Sequence, residues 1–153
     1  MFDNSLEQLA KARQNKKVVF TNGCFDILHV GHIRVLADAR DLGDILVVGL
    51  NSDSSVRRLK GDSRPVIPEE ERQEMLLALK SVDYVFIFDE DTPEELIRQI
   101  RPDILTKGGD WKIEQIVGGP FVTSYGGEVL SLPYRAGYST TGTIERILER
   151  AGL

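Results

Sequence analysis

Two histidines, His29 and His32, are the only imidazoles in the chain, and they stand three residues apart in Gly23-Cys24-Phe25-Asp26-Ile27-Leu28-His29-Val30-Gly31-His32. The run follows the apolar segment Lys17-Val18-Val19-Phe20-Thr21 and leads into a helical pattern, so the pair sits at a strand-to-helix turn. Residues three apart on a first helical turn share a face. Gly31 removes a side chain between them and lets a bulky anion approach the backbone. A helix N-terminus attracts phosphate through free N–H groups and its partial positive charge. Two imidazoles there would donate to phosphate oxygens, and one such donor is worth about 3 kcal/mol in a transition state. Zinc binding is the alternative chemistry, but no Cys or carboxylate at zinc-like spacing accompanies the pair.

Other segments offer groups of matching character. Lys60 lies in Leu59-Lys60-Gly61-Asp62-Ser63-Arg64-Pro65, read as a mobile loop whose lysine could neutralise phosphate; a solvated loop is the plain alternative. Lys107-Gly108-Gly109-Asp110-Trp111 follows a strand. Its glycines permit close ligand approach, Asp110 suits Mg²⁺ or a ribose hydroxyl, and Trp111 can cover a substrate face. Gly137-Tyr138-Ser139-Thr140-Thr141 opens the last helix, where Ser and Thr serve at least as caps. Arg72, among three glutamates, reads by itself as a surface ion pair.

Alternating elements must position these groups. Strands are expected at Lys17–Thr21, Asp44–Leu50, Tyr84–Phe88, Asp103–Thr106 and Glu128–Leu132. Helical spacing is expected over Ile33–Leu42, Glu69–Lys80 (core stripe Met75, Leu76, Leu79), from Thr92 as N-cap, partly over Ile113–Tyr125, and over Ser139–Arg150. Residues 1–15 read as a short helical extension anchored by Leu6 and Leu9. The expectation is one α/β domain over residues 1–153: a Rossmann-like, five-stranded parallel sheet with helices on both faces. In such sheets ligands bind beyond the carboxyl ends of the strands, where strand order reverses. The clusters Asn22–His32, Asn51–Asp53, Lys107–Asp110 and Ser139–Thr143 mostly follow strands and should converge there.

The chain has 153 residues, 41% hydrophobic and 28% charged, which suits one core. A net charge of -5 argues against general nucleic-acid binding. The single cysteine, Cys24, read as a small buried residue, cannot form an internal disulfide, so a reducing cytoplasm is expected. No apolar run reaches the ~20 residues of a membrane span, and residues 1–17 lack a signal-peptide core.

The run Phe25 to His32 resembles the HxGH motif of the cytidylyltransferase-like nucleotidyltransferase superfamily. That resemblance implies that His29 and His32 contact the triphosphate and stabilise the pentacoordinate α-phosphate. It implies that Asn22, Gly23, Cys24, Phe25 and Gly31 lie beside the nucleotide, that Asp26 lies near the phosphates or Mg²⁺, and that Ser139, Thr140 and Thr141 hold the β- and γ-phosphates. It also implies an arginine near the phosphates at Arg72. Asn51-Ser52-Asp53, Arg58-Leu59-Lys60-Gly61, Arg64-Pro65-Val66, Glu90-Asp91-Thr92-Pro93, Lys107-Gly108-Gly109-Asp110 and Gly137–Thr141 look like the adenylyltransferase domain of D-glycero-β-D-manno-heptose 1-phosphate adenylyltransferases. The likeness runs from about Lys16 to Leu148 and is to the stand-alone form, with the sugar kinase a separate upstream protein. The implied reaction is ATP plus heptose 1-phosphate giving ADP-heptose and pyrophosphate with Mg²⁺, with no nucleic-acid or membrane partner; relatives are often homodimers. Asp26, Asn51, Asp53 and Trp111 are the implied acceptor contacts. Two alternatives stay open: CTP with glycerol 3-phosphate or ATP with FMN as substrates, and a non-catalytic nucleotide-binding protein.

Overall fold

A computed structural model describes residues 4–134 and 137–153. Five strands, β1 (Val18–Gly23), β2 (Ile45–Asn51), β3 (Tyr84–Phe88), β4 (Ile104–Gly108) and β5 (Glu128–Leu132), form one sheet. Its order is β3-β2-β1-β4-β5 and every neighbouring pair is parallel. Order reverses between β1 and β4, so the crevice expected from a doubly wound sheet opens beyond Gly23 and Gly108.

Strand side chains alternate between two cores, as a period of two requires. Val18 and Phe20 of β1, with Ile45 and Val47 of β2, face one cluster, which α1 (Leu6–Ala12), α5 (Glu94–Ile100) and α6 (Gly119–Ser124) cover through Leu9, Leu96, Ile97, Ile100 and Val122. Val19 of β1 and Leu46, Val48 and Leu50 of β2 face the other, covered by α2 (Val30–Arg40) and α4 (Glu69–Leu77) through Leu36, Ala39 and Leu76. Both sheet faces are therefore dressed, which explains the near-continuous apolar run of β2.

Several local readings differ from the structure. The segment after β2 is a helix, α3 (Asp53–Lys60), where only a polar cluster and loop were expected. Ser52 caps it, its Oγ accepting from the Ser55 amide, so residues that resemble a turn are the start of a helix. Helix α5 starts at Glu94 with Pro93, not Thr92, at the cap position, and no side chain caps it. Leu76 is fully buried in α4, whereas Met75 is 41% exposed, so the core stripe is narrower than its spacing suggested. Leu9 is buried, but Leu6 is exposed. Cys24 is only half-buried. Between β4 and β5 the helical signal resolves into a 3-10 turn (Ile113–Gln115) and α6, separated by the left-handed Gly118. The last helix, α7 (Thr140–Arg150), begins one residue after its cap, Ser139.

Candidate active site

The loop from β1 to α2 carries both histidines, of which His32 lines a cavity at the crevice while His29, stacked on it, lines none. His29 is the N-cap of α2, and its Nδ1 accepts from the Gly31 amide at 3.1 Å. His32, at the third helical position, returns the favour: its Nδ1 accepts from the His29 amide at 3.3 Å. This is a capping box built from two imidazoles rather than the usual hydroxyl and carboxylate. Its chemical consequence is a fixed tautomer. An amide can only donate, so both Nδ1 atoms are unprotonated and each neutral ring carries its proton on Nε2. The rings stack, with centroids 3.8 Å apart.

Electrostatics keep the rings neutral. Burial, reinforced by the nearby His29 and Lys60 charges and opposed by Asp26, lowers the His32 pKa to about 4. Burial and then Arg146 lower that of His29. Near pH 7 the site therefore presents two N–H donors rather than two cations. Gly31 is needed for this arrangement, because a Cβ there would come within 2.9 Å of His29 Nδ1 and 2.8 Å of Tyr138 Cβ.

Two adjoining cavities open at this mouth. The smaller, about 100 Å³, is lined by His32, Lys60, Arg64 and Thr140 together with Asn22–Asp26 and Tyr134. The larger, about 520 Å³, is bordered by Lys107, Gly108, Trp111, Ile116 and Pro93 among others. Asn22, Gly23, Cys24, Lys60 and Tyr134 border both. Lys60 is the last residue of α3, and Gly61, at φ +97°, lets the chain leave the helix directly after it. Lys107 is half-buried, and burial is the main cause of its lowered pKa, helped by Lys60 and opposed by Cys24. Its Nζ lies 5.9 Å from the Trp111 ring centroid. Trp111 is 45% exposed while its Nε1 donates to the Gly108 carbonyl.

Other residues expected at the site have different tasks. The Asp26 carboxylate is buried and accepts from Arg64 Nε, the Val66 amide and the Ile67 amide at 2.9–3.0 Å. Burial raises its pKa, but these donors prevail and the net shift is downward. Its backbone carbonyl also accepts from Thr140 Oγ1 at 2.7 Å. Asp26 thus ties the histidine loop, the segment before α4 and the start of α7 together, and its oxygens are already engaged. Asp110 is exposed and borders neither cavity. Among the described residues, no group of three His, Cys, Asp or Glu side chains is placed to hold a metal. These two carboxylates therefore do not fit a protein-built Mg²⁺ site, and an ion here would depend on phosphate oxygens.

Arg72 departs from both of its readings. It is 1% exposed and donates to the carbonyls of Cys24, Asn51 and Ile67 and to Asp53 Oδ1 at 2.7–2.9 Å. It is an internal strut beneath the mouth rather than a surface charge or a phosphate contact. Asp53 is its ion-pair partner. The Asn51 amide is committed to Ser55 Oγ, although the residue borders the larger cavity. Ser139 Oγ accepts from the Gly142 amide as a cap, and Thr141 is exposed on the first turn of α7. Arg135 lies outside the described residues. Sequence reasoning did not place Arg64, Tyr134 or the Ile116–Val117 wall at the site. Tyr134 follows the carboxyl end of β5, a position the strand-end rule could have supplied.

This geometry agrees with similarity to known proteins. Residues 20–146 match the Cytidylyltransferase-like family, spanning most of the chain and every segment at the mouth. The chain belongs to the cytidylyltransferase-like family, and it is a nucleotidyltransferase. It is 62% identical over 138 residues to the Bifunctional protein HldE of Syntrophotalea carbinolica, covering 90% of this chain and 28% of that protein. The HldE of Geobacter sulfurreducens is 55% identical over 143 residues, covering 94% and 29%. The chain thus spans less than a third of the length of these curated relatives. Among solved structures, a lipopolysaccharide core biosynthesis protein of Thermoplasma volcanium is 32% identical with a TM-score of 0.64, covering 78% of this chain and 97% of that one. A pantoate-beta-alanine ligase of Francisella tularensis, at 14% identity and TM-score 0.59, shares the fold alone.

Proposed function

We propose that this nucleotidyltransferase adenylylates D-glycero-β-D-manno-heptose 1-phosphate with ATP, releasing pyrophosphate and forming ADP-heptose. The observation that carries the reading is the neutral imidazole pair, locked through both Nδ1 atoms with both Nε2–H groups free, its His32 on the wall of a small cavity that adjoins a larger one. A transferase that joins two phosphorylated molecules needs such a junction. Similarity to the HldE proteins and to a lipopolysaccharide core biosynthesis protein supports the sugar phosphate as acceptor.

The triphosphate occupies the small cavity, with its α-phosphorus near the shared border. The acceptor occupies the larger one, with its sugar against Trp111 and its phosphate toward Lys107 and Lys60. The acceptor phosphate is already anionic, so no general base is required. Its oxygen attacks the α-phosphorus in line and the bond to the bridging oxygen of pyrophosphate breaks. His29 and His32 donate from Nε2 to oxygens that gain charge in the transition state, and neither loses a proton. Lys60 neutralises the phosphates from the end of α3. Holding two anions in register lowers the barrier by removing the entropy of a bimolecular encounter. Mg²⁺ would enter with the nucleotide, held by phosphate oxygens, and would supply charge neutralisation. A sugar kinase activity would supply the acceptor, in the cytoplasm where ATP is available. Among the described residues no helix is long and apolar enough to cross a membrane.

Pyrophosphate release with ATP and CTP, each crossed with heptose 1-phosphate, glycerol 3-phosphate and FMN, tests the reading. Turnover should be greatest with ATP and heptose 1-phosphate. Preference for another pair would displace the acceptor assignment, and no release with any pair would displace transfer itself.

A further inference from the structure

Arg64 has one donor whose purpose the fold does not supply. Its side chain is nine-tenths buried, at 10% exposure, and its Nε is bonded to Asp26 Oδ2 at 2.9 Å. Its Nη2 is buried with no hydrogen-bond partner, the one such side-chain atom among the described residues. A buried charged donor left unbonded is destabilising, and natural proteins rarely keep one without a use. Arg64 borders the small cavity, where its neighbours include His32, Lys60 and Thr140.

The surroundings define what the donor meets. The cavity is rich in donors: the neutral His32, the Lys60 ammonium and Arg64 itself. Its only carboxylate, Asp26, has both oxygens occupied by Arg64 and by the Val66 and Ile67 amides. The Asp26–Arg64 pair cancels, so Lys60 leaves the space net positive. The complement is an anion with several oxygens at tetrahedral spacing. We infer that Arg64 Nη2 binds a phosphate oxygen of the nucleotide's β,γ-diphosphate portion, the part that departs as pyrophosphate. This rests on the transfer reading above.

Asp26 makes Arg64 a preorganised contact rather than a mobile arm. It holds the guanidinium at Nε and the backbone just after Pro65 through the Val66 and Ile67 amides. Its carbonyl also receives the Thr140 hydroxyl at the base of α7. Histidine loop, arginine and hydroxyl turn therefore hold a common geometry before any anion arrives.

Tripolyphosphate, which carries no base, sugar or acceptor, isolates this contact. In the ¹⁵N-arginine-labelled full chain, the Arg64 guanidinium signals should shift and their exchange with water should slow on adding it. By calorimetry, Arg64→Gln should weaken tripolyphosphate by about tenfold or more, the loss of one charge-assisted bond. Arg64→Lys, which keeps the charge but cannot reach Asp26 and the anion together, should weaken it by a smaller factor. Circular dichroism establishes that each variant is folded; if the glutamine variant is not, the lysine variant and the labelled wild type decide. Unmoved Arg64 signals at saturation, or affinity within about twofold of wild type in a folded variant, would overturn the inference. Tripolyphosphate binding through Arg64 without pyrophosphate release from any substrate pair would retain the contact and sink the transfer reading. Normal pyrophosphate release with tripolyphosphate affinity unchanged in Arg64→Gln would do the reverse.

Discussion

Replacing Gly31 by alanine separates the catalytic reading of the histidine pair from a structural one, because the two predict opposite signs. Alanine inside a helix normally improves on glycine by about 1 kcal/mol. By that rule the variant should be more stable and equally active. The geometry says otherwise. The new Cβ would lie 2.9 Å from Nδ1 and Cε1 of His29 and 2.8 Å from Tyr138 Cβ, closer than carbon atoms tolerate. The His29 ring can turn about its side-chain bonds, whereas Tyr138 Cβ is fixed to its backbone, so the ring rotates away and the Tyr138 segment must shift. The ring then gives up the bond it accepts from the Gly31 amide, a cap worth about 1 kcal/mol. Those two terms nearly cancel, but the shift forced at Tyr138 has no offset, so at about 2–4 °C per kcal/mol for a chain of this size the melting temperature should fall by several degrees.

Activity has no such compensation. Rotation removes His29 Nε2–H from the phosphate and disturbs the stacked His32 ring, 3.8 Å away by centroid. Loss of one preorganised donor costs about 2.7–4 kcal/mol in the transition state, or about 10²–10³ in kcat. Steady-state pyrophosphate release, read beside a thermal melt of the same sample, measures both numbers. A variant that melts at or above the wild-type temperature with kcat within about threefold of wild type would refute the locked-imidazole argument, since that single donor is worth far more.

The His32 pKa of about 4 lies below the ordinary 6.5, so the neutral ring favours the folded state; that stability is full above about pH 6.5 and fades as pH falls toward about 4. An NMR titration of the free protein should therefore place the His32 midpoint near 4, and a midpoint near 6.5 would contradict the buried, neutral donor. Arg72→Leu strips partners from three carbonyls and leaves Asp53 unpaired, so stability should fall by about 3 kcal/mol, and with it the melting temperature by roughly 6–12 °C. An unchanged melt with only a raised KM would return Arg72 to the phosphates. Lys60→Ala removes an exposed charge at the end of α3, so kcat/KM should drop by about 30-fold or more while the melt holds; equal kcat/KM would exclude Lys60 from the site.

What could be read from residues alone depended on whether the signal was local. The parallel sheet was legible because βαβ alternation is written along the chain: five apolar runs separated by helical spacing leave little topological choice. The histidine pair was legible for the same reason, since its partners are its own neighbours, Gly31 and the His29 amide. Helix α3 was not, because Asn51-Ser52-Asp53-Ser54-Ser55 has turn composition, and the same side chains that favour turns also cap helices. Arg72 and Arg64 were the least legible. A guanidinium's task is set by which carbonyls and carboxylates lie within reach, and here all but the Ile67 carbonyl come from 19 to 48 residues away. Arg72 finds every neighbour an acceptor and becomes a strut. Arg64 finds one acceptor and then a cavity of donors, so its second arm is left for an anion. Charge type is printed in the sequence, but whether a charge holds the protein together or holds its substrate is decided by the count of acceptors around it.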